Sequence, residues 1–389
     1  MKESQRSISL VQRAACAHRA RSAAASLFYM VLGLGALQLS FATGADPSAP
    51  GGRLVTPRSS HTATRLLDGR VLLAGGSVAA PTYVTGSAEL YNPATNSWSA
   101  TGSLNQSRTF HRAVLLPDGR VLVMSGQSFG ANNLSSAELY DPVIMQWTYT
   151  ASMSSPHFLS DPVVLPNGKV LVAGGRTIVE TDNAELYDPA SGTWSPTGNL
   201  LQPRSSYHAT LLANGKALIA GGFSQTGAVA AAELYDPSTG TFSGTGSILT
   251  PRAIGNIQIL LGDGKVLFAG GFQQKRDRTK FFGEAEIYDP ATGLWTRVDS
   301  LRTRRTNFTA NLLSDGKVFC VGGTDSSFHS IASIEEYSPA TGRWELLKNS
   351  LANPRAGHTA TTLLNGDVIV AGGSDIDFLP TAELFIGPR

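Results

Sequence analysis

The chain has 389 residues, with 31 lysines and arginines against 29 aspartates and glutamates. Five of those positive charges and one negative charge fall within residues 1–45, so the rest of the chain is slightly acidic. This balance gives no support to a nucleic-acid or membrane-surface partner. Of two cysteines, Cys16 lies in the N-terminal segment and Cys320 in an apolar run, so packing and not an internal disulfide must stabilise the protein.

The N-terminal segment has the order of a secretory signal, in which arginines precede an apolar stretch and small residues follow it. We predict a signal peptide over residues 1–45, cleaved after Ala42 or Ala45, and a secreted, periplasmic or cell-surface location for residues 46–389. The alternative is an uncleaved anchor, because residues 23–42 approach the ~20 apolar residues that a membrane span needs.

From about residue 53 to residue 385 the chain repeats one pattern seven times. Each unit has an Asp-Gly or Asn-Gly pair, an apolar run that ends in small residues and glycine, and then Ala-Glu-Leu-Tyr or a close variant. The last glycine of each run recurs at steps of 47 to 52 residues, at Gly76, Gly126, Gly175, Gly222, Gly271, Gly323 and Gly373. Such a period, built from short strands and tight turns, indicates an all-β, seven-bladed β-propeller.

Each unit is predicted to form one four-stranded antiparallel blade. Strands one and two are joined at the Asp-Gly or Asn-Gly pair, where we predict a two-residue type I′ turn. The second strand is apolar almost throughout, as in residues 71–74, so both of its faces should be buried between neighbouring blades. The fourth strand carries a large ring seven residues after the third-strand aromatic, and this ring can fill the widening space between blades. The rings are Trp98, Trp147, Trp194, Phe242, Trp295 and Trp344.

The ends of the chain predict how the ring closes. Seven units have strands one to three, but the last unit stops before a fourth strand. Residues 52–58 match residues 246–252, which form the end of a fourth strand and the link to the next blade. We therefore expect residues near 47–55 to pair with the last blade, which would remove an exposed sheet edge.

Taken together, these residues resemble kelch repeats. The resemblance is carried by the Gly-Gly doublet, the Tyr 12 to 17 residues on, the Trp seven residues later and an Arg-x-x-His opening. That opening occurs at Arg58 and His61, at Arg108 and His111, and at Arg355 and His358. The resemblance covers nearly all of residues 46–389, and it implies a fold but no single function, since kelch propellers include protein-binding modules, sugar-processing enzymes and domains of copper oxidases. A copper-radical oxidase is not expected, because its tyrosine would need a cysteine partner and Cys320 lies in a predicted core strand.

The least periodic part of the chain is the predicted ligand-binding site. The loop between strands two and three and the link from strand four to the next blade lie on one face of the ring, and we call it the variable face. In the fifth blade this loop, residues 272–282, is long and basic, and the link into the sixth blade should lie nearby. Aromatic rings among cations suit an acidic glycan, a polyanion or an acidic protein segment; the alternative is a solvated charged loop. The predicted residues are Lys275, Arg276, Arg278, Lys280, Phe281, Phe282, Arg302, Arg304 and Arg305.

Other groups of residues are weaker candidates for a binding, catalytic or metal site. Arginines open six first strands, but every blade also has a third-strand glutamate, which favours repeated structural ion pairs over an anion funnel. Three histidines share a position that is aromatic in other blades, which favours packing; His157 and His208 lie elsewhere and could act as bases near the mouth of the channel. Asp375 and Asp377 with Asp325 or His329 do not spell out a full calcium site. We expect no metal and no cofactor.

The sequence thus favours an exported, monomeric, non-catalytic propeller that binds a protein or carbohydrate through its variable face. Two alternatives remain open. One is an enzyme acting on a sugar or other small molecule at the mouth of the central channel, and the other is a structural spacer in a surface assembly. An enzyme requires at least two titratable side chains that converge within hydrogen-bond reach of a pocket.

Overall fold

The computed structural model describes residues 51–130, 133–275 and 278–387, without the side chains of residues 274, 275 and 278. The predicted signal peptide, residues 1–45, lies outside these residues. In the described ranges the chain is built of strands, and no helix there is long and apolar enough to cross a membrane.

The strands form seven successive antiparallel blade sheets, one for each sequence repeat, and the fourth repeat adds a separate two-stranded sheet. Blades one to three consist of β1 (Thr62–Arg65), β2 (Val71–Ala74), β3 (Ala88–Asn92), β4 (Ser97–Thr101); β5 (Arg112–Leu115), β6 (Val121–Met124), β7 (Ala137–Asp141), β8 (Gln146–Thr150); and β9 (Val163–Val164), β10 (Val170–Ala173), β11 (Ala184–Asp188), β12 (Thr193–Thr197). Blade four has β13 (His208–Leu211), β14 (Ala217–Ala220), β15 (Phe223–Ser224), β16 (Gly227–Ala228), β17 (Ala232–Asp236), β18 (Thr241–Thr245). Blade five has β19 (Ile254–Leu260), β20 (Val266–Lys275), β21 (Arg278–Phe281), β22 (Ala285–Asp289), β23 (Leu294–Val298). Blades six and seven have β24 (Thr309–Leu312), β25 (Val318–Val321), β26 (Ser333–Ser338), β27 (Arg343–Ser350); and β28 (Thr359–Thr362), β29 (Val368–Ala371), β30 (Ala382–Phe385).

The first strands of neighbouring blades contact one another, so they surround the axis of the ring. The core lies between blades: Leu72 and Leu90 of blade one pack with Val121, Val123 and Trp147 of blade two. The second strands are buried along their whole length, as predicted, because a blade is covered on both faces.

The turns between first and second strands differ from the prediction. Gly69 has φ +87° and its N–H donates to the Leu66 carbonyl at 3.1 Å, whereas Asp68 keeps a negative φ and accepts the Arg70 N–H on its carboxylate at 3.0 Å. This is a three-residue loop, a type I turn followed by a left-handed glycine. The predicted type I′ turn is therefore wrong, since only the glycine of each pair adopts positive φ.

The Gly-Gly doublet allows neighbouring blades to approach each other closely. Gly75 has φ +62°, and a Cβ there would lie 2.6 Å from the Arg108 carbonyl oxygen and 2.7 Å from Cε1 of His111, both in the next blade. The second glycine, Gly76, donates its N–H to that same Arg108 carbonyl at 2.8 Å. A side chain at the doublet would push the two blades apart.

Ring closure uses the same contacts that join the other blades. Leu54 donates its N–H to Pro380 at 2.7 Å, Arg53 forms a bridge with Thr381, and Gly373 donates to the Arg58 carbonyl at 2.8 Å. The described part of the predicted closing segment thus pairs with blade seven through a single bridge and its hydrogen bonds, and not as a regular fourth strand. Residues 47–50 of that segment lie outside the described residues.

Candidate functional site

The opening arginines of the repeats are buried in structural ion pairs. All six have 0% exposed side chains, and each contacts the third-strand glutamate of its own blade. The nitrogen–oxygen distances are 2.8 Å for Arg58 and Glu89, 2.9 Å for Arg108 and Glu138, 2.5 Å for Arg204 and Glu233, 2.6 Å for Arg252 and Glu286, 2.7 Å for Arg305 and Glu335, and 2.6 Å for Arg355 and Glu383. The prediction of structural pairs is confirmed.

Each pair ties three segments together. In blade one, Nη1 of Arg58 donates to the carbonyls of Gly75 and Ser87 at 2.8 and 2.7 Å, which fixes both ends of the loop between strands two and three. Glu89 accepts the backbone N–H of Val55 and Thr56 at 2.7 and 2.9 Å, and this holds the incoming link. Burial lowers the pKa of Arg58, and the charge of Glu89 counteracts it.

Blade three replaces the arginine by a histidine. Nδ1 of His157 lies 2.6 Å from the Gly174 carbonyl oxygen and Nε2 lies 2.9 Å from the Glu185 carboxylate. Hydrogen bonds from His157 and from Ser154 lower the pKa of Glu185 although its burial acts to raise it. A carbonyl and an ionised carboxylate only accept hydrogen bonds, so this geometry calls for a proton on each ring nitrogen, and His157 takes the place of the arginine in the ion pair.

In the fifth blade, the predicted basic loop is a hairpin that extends the blade on its variable face. β20 continues past the doublet to Lys275 and pairs with β21, with Gln273 opposite Lys280 and Lys275 opposite Arg278. In the other six blades the second strand ends before the doublet. This hairpin, residues 272–282, is therefore a local addition to the repeat.

The predicted aromatic contacts do not lie at the surface of this hairpin. Phe281 is 4% exposed; its ring stacks on Phe272 at 5.7 Å between centroids and meets Phe328 of blade six edge-on at 5.1 Å. Phe282 is 2% exposed and lies beneath Lys280, whose Nζ is 4.7 Å from the ring centroid. Phe281 and Phe282 were predicted to contact a ligand. In the structure both rings are buried and fill the space beneath the hairpin.

Two predicted cations lie at the exposed surface beside these anchors. Lys280 is 58% exposed, with Nζ 3.7 Å from the Glu284 carboxylate. Arg304 is exposed, and its Cγ lies 3.5 Å from where a Cβ on Gly283 would stand, so the fifth-to-sixth link does run beside the end of the hairpin. Arg276 and the side chains of Lys275 and Arg278 lie outside what the structure describes.

The two remaining predicted arginines lie elsewhere. Arg302 is half-exposed and binds Asp299 at 2.9 Å and the Trp344 carbonyl on the outer strand of blade six, also at 2.9 Å. Arg305 is one of the buried arginines and is held by Glu335. Arg305 is therefore a scaffold residue, and its guanidinium does not reach the surface.

Seven radial sheets, six with a buried arginine–glutamate pair and one with a buried histidine–glutamate pair, define a β-propeller whose repeats serve as a scaffold. The chain is a seven-bladed β-propeller built from kelch-like repeats. The family model described as "Kelch motif" matches residues 305–350, which run from the buried Arg305 to the end of β27.

Similar proteins include both kelch-domain proteins and oxidases. The chain is 30% identical over 95 residues to Kelch domain-containing protein 8B of Mus musculus, covering 22% of this chain and 27% of that protein. It is 28% identical over 93 residues to the galactose oxidase of Gibberella zeae, covering 24% of this chain and 12% of the oxidase. These matches span about a quarter or less of the relatives' length.

The fold is also found in a solved oxidase structure. A fungal alcohol oxidase of the AA5 family, in complex with copper, superposes with a TM-score of 0.71 and 20% identity over 86% of this chain and 75% of that one. This likeness shows the fold. Within the described residues no three His, Cys, Asp or Glu side chains come together as a metal site, and Cys320 is a buried free thiol in β25. These residues do not fit a copper centre.

Proposed function

We propose that this propeller is an exported binding module that recognises an acidic protein or carbohydrate partner through the hairpin of blade five and the adjoining link. The observation that supports it most is that this hairpin, unlike the six other connections between strands two and three, extends the second strand and pairs it with an added strand. It carries six of the nine predicted residues, four cations and two aromatic rings, and Arg304 lies at its base.

The buried rings favour recognition over a merely solvated loop. Phe272, Phe281 and Phe282 are each at most 4% exposed, so the base of the hairpin is held on the scaffold before any partner arrives. Pre-ordering lowers the entropic cost of binding. Exposed cations on a fixed base attract an acidic surface and speed its association, and the effect weakens with salt.

The test is a binding screen of the purified protein against glycan and extracellular-protein arrays. In one variant Lys275, Arg276, Arg278 and Lys280 become serine, and in a second Arg304 becomes serine. We expect both to lose binding of an acidic partner, and added salt to weaken the wild type.

A matched control removes four lysines from the opposite face. These lysines directly follow the glycine turns and are paired with aspartates: Lys169, Lys216, Lys265 and Lys317. Their replacement by serine makes the same change in net charge and should leave binding intact. Equal loss in hairpin and control variants, or a wild type that binds nothing on either array, would contradict the proposal; the second result would favour a structural spacer.

A further inference from the structure

One position of the repeat, at or near the start of the inner strand, changes from blade to blade. It lies 14 residues before the last glycine of each unit. In blades one, two, four, six and seven it begins the inner strand and pairs with the residue two positions before that glycine, as Arg112 does with Met124. The seven residues are Thr62, Arg112, Asp161, His208, Ile257, Thr309 and Thr359.

In three successive blades, two to four, this position is charged or titratable, and the middle side chain, Asp161, contacts the other two. Nε of Arg112 donates to one carboxylate oxygen of Asp161 at 2.5 Å, and Nδ1 of His208 lies 2.7 Å from the other. In the other four blades the residue at this position is uncharged. The hydroxyls of Thr62 and Thr309 lie 2.9 Å from Nε2 of the buried His111 and His358, respectively. We call Arg112, Asp161 and His208 the axial cluster.

The axial cluster has polar atoms that are available to bind a ligand. Burial acts to raise the pKa of Asp161, but the charge of Arg112 and the hydrogen bonds that Arg112 and His208 donate hold it well below its usual value. The carboxylate is therefore ionised, and His208 directs its Nδ1–H toward it, which leaves Nε2 as an acceptor in the neutral ring. Within the described chain, no hydrogen bond engages that Nε2 or the two terminal nitrogens of Arg112. Their side chains are 32% and 31% exposed.

The backbone of blade three is shaped to place Asp161. The inner strand β9 has two residues, whereas each other inner strand has at least four. Leu159 has φ +61°, and the matching residue of every other blade also has positive φ; blade three adds φ +44° at His157 and a hydrogen bond from the Ser160 hydroxyl to the His157 carbonyl at 2.6 Å. Asp161 thus reaches both neighbours from a turn at the end of the inner strand that receives the incoming link, which is the variable-face end of the axis.

We propose that the axial cluster is a binding site for a small hydroxycarboxylate, with the terminal nitrogens of Arg112 holding the carboxylate and Nε2 of His208 accepting a hydrogen bond from a hydroxyl group. A guanidinium fork matches a carboxylate in a bidentate manner. Asp161 is a positioning residue, because both of its oxygens are engaged in orienting its neighbours. The site is distinct from the hairpin of blade five.

Titration calorimetry with gluconate and galacturonate tests the site on the intact protein, with glucose and acetate as probes that carry only one of the two groups. We expect gluconate or galacturonate to bind at least about tenfold more tightly than glucose or acetate. Arg112→Thr and His208→Thr should each weaken that binding about tenfold or more. Threonine occupies this position in three other blades, so both variants keep a side chain that the ring accommodates.

Thr309→Ser, at the same level on another blade, is the matched control and should bind as the wild type does. The hairpin variant with four serines should also bind normally, so failure of the axial site and failure of the hairpin proposal are distinguishable. No binding of either acid at millimolar concentration, or equal binding by Arg112→Thr, would overturn the proposal.

A second measurement needs no variant. Diethyl pyrocarbonate acylates neutral imidazole nitrogens, and mass spectrometry can follow His208 and the exposed His329 in one experiment. The bound acid should protect His208 and leave His329 unchanged. Modification of His208 at an unaltered rate, at acid concentrations that saturate the calorimetric signal, would also overturn the assignment.

Discussion

At the scale of single residues, the repeated charged groups act as scaffold. Arg204 and Glu233 are buried, and the carboxylate also accepts the N–H groups of Leu201 and Gln202 at 2.7 and 3.2 Å. Two buried charges stabilise a fold little in total, but either one alone is costly. The periodic co-occurrence of Arg and Glu in the sequence predicts the pair because neither residue type is tolerated alone in such a core.

Removal of one partner from this pair should be strongly destabilising. Arg204→Met leaves Glu233 buried without its counter-charge, and we expect the free energy of unfolding to fall by about 3–5 kcal/mol. Arg204→Met combined with Glu233→Gln removes the charge and keeps a hydrogen-bond acceptor, so it should lose less. Urea denaturation measures both; a double variant less stable than the single one would contradict the ion-pair argument.

The buried histidines make stability depend on acid. Burial, followed by the charge of Arg355, lowers the pKa of His358 to about 3, and burial also lowers the pKa of His61 and His111 well below 6.5. The unfolded chain takes up these protons near pH 6.5, whereas the folded chain does not. Stability that is present above pH 6.5 is therefore lost as pH falls below it, by about 1.4 kcal/mol per unit for each ring.

His358→Phe tests this dependence, since blade six already carries Phe308 at the equivalent position. We measure the free energy of unfolding at pH 7, 6 and 5. Below pH 6.5 the loss of stability per pH unit should be smaller in the variant than in the wild type, and the difference should be about 1.4 kcal/mol. His329→Gln changes an exposed ring and should retain the wild-type slope. An identical slope in His358→Phe and wild type would show that this ring is protonated in the folded state.

At the scale of the elements, the sequence predicts what repeats and misses what depends on three-dimensional proximity. Seven blades and buried second strands follow from the period and the apolar runs. The turn type was wrong because an Asp-Gly pair fits either of two hairpin loops. The sequence singled out His208 as a candidate base, but its partners Arg112 and Asp161 were missed because each looks ordinary alone; the fixed spacing of 14 residues from the last glycine is the signal that brings the three together.

The hairpin of blade five gives a prediction at this scale. Phe281→Ala removes the ring that joins Phe272 to Phe328, and the loss should be local because the blade below keeps its own core. Hydrogen exchange should speed up in residues 272–282 and stay unchanged in β22. Thr279→Ala, in the same strand, is the control and should exchange as the wild type does. Faster exchange throughout blade five would mean that the hairpin is part of the blade's cooperative unit.

At the scale of the whole molecule, contacts between the first and last segments of the propeller close the ring. Leu54 joins Val71 and Leu73 of blade one with Ile369 and Ala371 of blade seven in a core cluster like those between other blades. The indole of Trp98 donates to the Gly51 carbonyl at 2.9 Å, as Trp147 does to Gly102 at 2.8 Å. The match of residues 52–58 with 246–252 identified this segment, but a bridge instead of a regular strand could not be foreseen, because pairing depends on backbone positions that the sequence match does not specify.

Ring closure is sensitive to a single methyl group at Gly51. A Cβ there would lie 2.6 Å from Cδ1 of Ile369 and 2.7 Å from the Ala382 backbone carbon, so Gly51→Ala must displace the segment from blade seven. We expect it to lower the unfolding free energy by about 1–3 kcal/mol and to speed hydrogen exchange in β30. A Cβ on Gly262 would meet nothing within 4 Å, so Gly262→Ala should change stability by no more than about 0.5 kcal/mol. If the two alanine variants were equally stable, or if β30 exchanged no faster in Gly51→Ala, the N-terminal segment would contribute nothing to holding the ring closed.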